Sequence, residues 1–186
     1  VNGKRLDDYF REKKATLEQV VDVGIALCEG LAPMHKLNLV HRDIQPKNII
    51  ITNEGSLKII DFDISRKENE NATHDTTLLG TVGYAAPEQF GGMGQTDART
   101  DIYCLGATMY HLVTGMNPCE PPYEIRPIRE IDPTLSGGLE RIITKCTQPD
   151  PNNRYQSAAE LMYDLEHYTE IDDMYRKNLK RKLAVF

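Results

Sequence analysis

The sequence predicts a mainly α-helical fold carrying one small β-hairpin, on three observations. Apolar residues recur at three- and four-residue steps in four segments, a strand–turn–strand pattern lies between the first two, and the proline-rich stretch 117 to 135 has no room for a long helix. A chain of 186 residues with 40% hydrophobic content can bury one substantial core, and no shift in composition divides it.

The first helix is expected over about 16 to 38. Leu17, Val20, Val21, Gly24, Leu27, Cys28, Leu31 and Met34 form its buried stripe, and Thr16 with Gln19 supplies a capping box. Ile49 to Thr52 and Leu57 to Ile60 read as strands joined by the turn Asn53-Glu54-Gly55-Ser56. Residues 67 to 77, rich in Asn, Glu and Thr and without apolar periodicity, read as an exposed loop. A second buried helix is expected over roughly 97 to 114, carrying Ile102, Leu105, Met109, Leu112 and Val113 and stopped at Gly115, with Pro118 beyond. Leu139, Ile142, Ile143 and Cys146 mark a third, and Ser157 with Glu160 caps a fourth bearing Leu161, Met162 and Leu165.

The net charge of −6 argues against a general nucleic-acid binder, because a phosphate polymer would be repelled by most of the surface. No apolar run approaches bilayer-spanning length, and Lys4, Arg5 and neighbouring acids exclude a signal-peptide core at the start. Cys28, Cys104, Cys119 and Cys146 are too dispersed for a zinc site or a disulfide framework, so reduced thiols in a cytoplasmic protein are expected. Cys28, Cys104 and Cys146 fall in helical stripes and read as core.

Chemistry concentrates in an ordered set of short motifs. His41-Arg42-Asp43 with Asn48 comes first, then Asp61-Phe62-Asp63 beyond the hairpin, then Gly80-Thr81-Val82-Gly83-Tyr84-Ala85-Ala86-Pro87-Glu88. Asp101 and Gly106 follow within the second long helix, and Arg154 after Asp150-Pro151. The hairpin returns the chain to the loop it left, so Asp43, Asn48 and Asp61 converge. Core packing gives no reason to place two acids and an amide there. Phosphoryl transfer needs such a set, with one group to orient the attacking hydroxyl and others to hold magnesium.

In order and spacing, these motifs over residues 3 to 168 resemble the C-terminal lobe of eukaryotic-type protein serine/threonine kinases, and Tyr84 to Phe90 and Asp97 to Gly115 look most like the bacterial branch. The resemblance implies a protein kinase-like fold, C-lobe only, that uses ATP and Mg2+, with Mn2+ as an alternative, on protein substrates. By it, Asp43 is the catalytic base, Asn48 and Asp61 are the metal ligands, Ile50 closes beneath the adenine ring and Thr81 borders the peptide-substrate groove. Glu88 would pair with Arg154, Asp101 would tether the His41-Arg42-Asp43 turn, and His41 would stack on Phe62. Arg42 would receive a phosphorylated loop residue, for which Thr76 and Thr77 are the first candidates and Thr73 the next.

Three departures qualify that picture. There is no glycine-rich loop, strand lysine or partner glutamate helix, so the chain reads as a fragment whose N-lobe partner is missing and which alone would transfer no phosphate. Gln45 stands where these kinases carry lysine, and Lys47 is the cation that could compensate. Asp63 replaces the usual glycine after Asp61-Phe62, which puts the switching of that turn in question. A pseudokinase or a non-catalytic signalling module is the alternative, with Gln45 and Asp63 in its favour. Beyond the kinase-like unit 1 to 168, residues 169 to 186 form a basic tail with Arg176, Lys177, Lys180, Arg181 and Lys182. It reads as a solvated helix end or disordered tail or, if an apolar span follows, as a juxtamembrane segment on the cytoplasmic face.

Overall fold

The computed structural model describes residues 2–61, 83–90 and 95–183. A three-stranded antiparallel sheet lies beside a helical body. Strand β1 (Gly3–Arg5) pairs with β2 (Ile49–Thr52), and β2 pairs with β3 (Leu57–Ile59), in the order β1-β2-β3. The expected hairpin is thus β2–β3, with Ile49 opposite Ile59 and Ile51 opposite Leu57, while β1 corrects the sheet to three strands. All three β1 residues are exposed, so the strand is held by backbone pairing and carries no apolar alternation that would announce it. Gly55 closes the turn with φ +82°, its N–H donating to the Thr52 carbonyl at 2.9 Å.

Helix α1 (Leu6–Tyr9) is one turn that buries Leu6. Helix α2 (Leu17–Lys36) starts at the expected capping box: Gln19 N donates to Thr16 Oγ1 at 3.2 Å, and Thr16 N donates to Gln19 Oε1 at 2.9 Å. Helix α3 (Ala98–Thr114) is capped by Asp97 and ends at Gly115, whose φ of +73° places it in the left-handed region. Within the proline-rich stretch only the one-turn α4 (Ile128–Ile131) forms. Helices α5 (Gly137–Cys146) and α6 (Ala158–Glu166) begin at Ser136 and Ser157, each serine oxygen accepting a backbone N–H of the first turn. Helix α7 (Tyr168–Leu183) carries the basic segment, with Arg176, Lys177, Lys180 and Arg181 exposed.

Helix α3 is the axis of the body. It packs against α2, α5 and α6, and its Ile102, Cys104, Leu105, Ala107 and Met109 are buried almost completely. Gly106 sets the α3–α5 distance, because a Cβ there would lie 2.4 Å from Cys146 Cβ. Helix α7 is fastened to the start of α5 by Asp172, which accepts from Ser136 Oγ at 2.8 Å and from Gly138 N at 2.9 Å. Cys28, Cys104 and Cys146 are buried free thiols, as their positions in the stripes imply, and burial pushes the Cys28 thiol up to about 12. Among the described residues no helix is long and apolar enough to cross a membrane.

Candidate active site

The loop from His41 to Asn48 leaves α2 and enters β2, so the helical body fixes one end and the sheet the other. Asp101, wholly buried on α3, anchors its first turn. One carboxylate oxygen accepts from Arg42 N at 2.7 Å, and the other from His41 N at 3.0 Å and His35 Nε2 at 2.8 Å. A buried carboxylate with three donors is well satisfied. It holds Arg42 at φ +69°, a left-handed conformation that costs a non-glycine residue roughly 1 kcal/mol or more.

The His41 ring joins this turn to the exit of β3. Its Nδ1 accepts from Asp43 N at 3.2 Å, which leaves Nε2 to donate to the Ile60 carbonyl at 3.0 Å. Ile60 N in turn donates to the Asn48 carbonyl at 2.8 Å. Both backbone groups of Ile60 are therefore bound to the loop, which brings the next residue, Asp61, beside it. Asp61 is exposed and left-handed, with φ +59°.

Asp43 is half-buried, and its carboxylate receives a side-chain amide on each oxygen. Asn48 Nδ2 donates to Oδ2 at 2.8 Å and to the Asp43 carbonyl at 2.9 Å, while Gln45 Nε2 donates to Oδ1. With its nitrogen committed to Asp43, Asn48 keeps its amide oxygen as the acceptor a cation would meet. Gln45 is buried and turned onto Asp43, whereas Lys47 is exposed. Ile50, on β2, is half-buried. Among the described residues no three His, Cys, Asp or Glu side chains form a metal cluster. Asn48 and Asp61 nevertheless suit Mg2+, which takes one or two protein oxygens and fills its octahedron with phosphate and water.

The segment 83–90 meets the loop from the other side. Glu88 and Arg154 form a buried bidentate pair, with Nη1–Oε1 at 2.7 Å and Nη2–Oε2 at 2.9 Å. Burial drives the Glu88 carboxyl upward, but its bonds to Arg154, to backbone and to Thr100 outweigh this and hold it below the usual range. Tyr84 Oη lies 2.5 Å from His111 Nδ1, and burial keeps that imidazole below its ordinary value. Phe62, Asp63, Thr73, Thr76, Thr77 and Thr81 lie outside the described residues.

Sequence reasoning passed over three contributors. His35 sits in the last turn of α2 and looked like an ordinary polar terminus. Thr108 reads as helix interior, yet its hydroxyl lies 3.3 Å from the Ile44 carbonyl of the loop and 2.9 Å from Cys104 O. Gln89, directly after Glu88, donates through Nε2 to the Arg42 carbonyl at 2.8 Å. Its adjacency to Ala86-Pro87-Glu88 was the available signal.

Known proteins resemble this chain in sequence and in fold. A probable serine/threonine-protein kinase of Clostridium perfringens is 36% identical over 179 residues, covering 89% of this chain and 26% of the relative. The serine/threonine-protein kinase PknB of Mycobacterium tuberculosis is 33% identical over 184 residues, covering 89% of this chain and 29% of its own length. The chain thus spans between a quarter and a third of these curated relatives. The crystal structure of the Mycobacterium tuberculosis PknI kinase domain superposes with a TM-score of 0.73 at 23% identity, over 90% of this chain and 63% of that one, a likeness of fold. The profile of the protein kinase domain matches residues 1–167, and the chain accordingly belongs to the protein kinase family.

Proposed function

We propose that this chain is the C-lobe portion of a protein serine/threonine kinase whose whole protein transfers the γ-phosphate of ATP to Ser or Thr hydroxyls of protein substrates. The observation that carries the reading is the Asp43 carboxylate, held by Gln45 and Asn48 on a loop that α3 pins through Asp101. Asp43 is the group that orients the substrate hydroxyl and accepts its proton. Asn48 and Asp61 would hold Mg2+, which would supply charge to neutralise the phosphate oxygens, and Ile50 would line the adenine site. Gln45 acts on Asp43 and leaves Lys47, exposed at the loop surface, as the cation for the transferring phosphate. By the family likeness Thr81, outside the described residues, would serve the peptide groove, and Arg42 would receive phosphorylated Thr76 or Thr77. The whole protein works in the cytoplasm or on the cytoplasmic face of a membrane, and the basic α7 supports the second placement.

The test is Mg2+-dependent autophosphorylation of the full-length protein. Asp43→Asn is expected to lower the rate by about 10²-fold or more, and the isolated chain to transfer no phosphate. A full-length protein without activity, or an Asp43→Asn variant as active as the parent, would defeat the reading.

A further inference from the structure

The peptide joining Arg42 to Asp43 follows the N–H of Arg42 that Asp101 holds at 2.7 Å, and its own N–H, on Asp43, donates to His41 Nδ1 at 3.2 Å. The carbonyl is met from the segment 83–90, by Gln89 Nε2 at 2.8 Å. The same side-chain amide accepts through Oε1 from Ala86 N at 2.9 Å and from Cys104 Sγ at 3.5 Å. These contacts commit the amide oxygen to its own turn and to α3, and they leave the nitrogen aimed with one of its N–H groups at the Arg42 carbonyl. That turn is itself immobilised by the neighbouring Glu88–Arg154 pair.

We propose that Gln89 is a positioning residue for Asp43, the second clamp on the left-handed Arg42, gripping the carbonyl where Asp101 grips the N–H. Neither clamp substitutes for the other. Asp101 fixes the approach to Arg42, whereas rotation about its ψ would still swing the following peptide and carry Asp43 away from Asn48. Gln89 opposes that rotation at the carbonyl, alongside the longer 3.2 Å bond from Asp43 N to His41 Nδ1. It also makes the geometry of Asp43 depend on the docking of the segment 83–90, so a displacement of that segment loosens the base without touching it. The catalytic half of this inference rests on the kinase reading; the positional half does not.

Gln89→Glu isolates the donor, because the carboxylate keeps an acceptor for Ala86 N and Cys104 Sγ but offers no N–H to the Arg42 carbonyl. Gln89→Leu removes all three contacts. In this chain, amide hydrogen exchange at Asp43 should accelerate roughly tenfold in Gln89→Glu while the core amides of α3 keep the parent rate. In the full-length protein, kcat should fall roughly tenfold with KM for ATP nearly unchanged, since only the orientation of the base is lost. Gln89→Leu should show both effects together with a lower melting temperature. Parent-like exchange at Asp43 in Gln89→Glu would overturn the inference, and so would uniform acceleration of all core amides, which would make Gln89 a general stability residue. Inactivity of the parent protein would sink the kinase reading instead, and exchange at Asp43 would still decide the position of Gln89.

Discussion

Replacing Glu88 with glutamine changes one charge at the best-buried ion pair among the described residues. Arg154 is 2% exposed and Glu88 7%, so neither charge is relieved by solvent. The guanidinium donates to Glu88 twice, through Nε to Gln148 O at 2.7 Å, through Nη1 to Arg99 O at 3.0 Å and through Nη2 to Pro149 O at 3.0 Å. In Glu88→Gln the three carbonyls still accept, but the cation has lost its counter-charge in a dry site. Breaking a buried pair on one side costs about 3–5 kcal/mol, against a total stability of about 5–15 kcal/mol for a domain. At about 2–4 °C per kcal/mol for a chain of this size, the melting temperature should fall by about 6–20 °C. Urea unfolding followed by circular dichroism measures the loss directly, with an unchanged m-value showing that the same surface unfolds. The double variant Glu88→Leu with Arg154→Met should recover the part of the loss due to the uncompensated charge, while leaving the Gln148, Arg99 and Pro149 carbonyls without their guanidinium donor. A Glu88→Gln variant within about 1 kcal/mol of the parent would refute the claim that the pair is electrostatically closed.

Two further outcomes follow from the same geometry. His111, held below its ordinary value of 6.5 by burial, binds its proton more readily in the unfolded chain, so stability should begin to fall as pH drops through about 6.5. Glu88 and Asp97, held below 4.5 and 3.8, contribute stability that is complete above those values and lost as pH falls through their lower folded-state values, so a steeper second decline belongs below about pH 4.5. Urea midpoints between pH 7 and pH 3 would show this, and a profile flat from pH 7 to pH 5.5 would count against a neutral His111. At the active site, Lys47→Ala in the full-length protein should lower kcat/KM by about 10–10²-fold and Lys47→Arg should restore much of it; turnover unmoved by Lys47→Ala would show that the compensating cation lies elsewhere.

The elements legible in the sequence are those with a local cause. Thr16 and Gln19 announce α2, Gly115 ends α3, and Gly55 turns the hairpin, each through a contact made within a few residues. The Glu88–Arg154 and Asp101 contacts reached across the chain and could be expected only through the family resemblance. Strand β1 escaped notice because Gly3, Lys4 and Arg5 pair through backbone alone. The direction of the Gln45 side chain escaped for another reason. Spacing fixes where a loop residue's backbone lies, but the choice between a phosphate and the Asp43 carboxylate is made by the rotamer, and burial decides it toward Asp43. His35, Thr108 and Gln89 belong to the same class, since each serves the loop through a contact 47 or more residues away in sequence.

Those contacts also explain how the helical body shapes the loop. Three points of the loop are tied to α3: His41 and Arg42 through Asp101, Ile44 through Thr108, and Arg42 again through Gln89, whose oxygen rests on Cys104. Asp101, Cys104 and Thr108 stand three and four residues apart, so they share one face of the helix. That face acts as a template, and its rigidity is inherited from the buried surroundings of Ile102, Leu105 and Met109. Preorganisation of Asp43 is therefore a property of the helical body, and what the sequence motif contributes is the set of groups that the template displays.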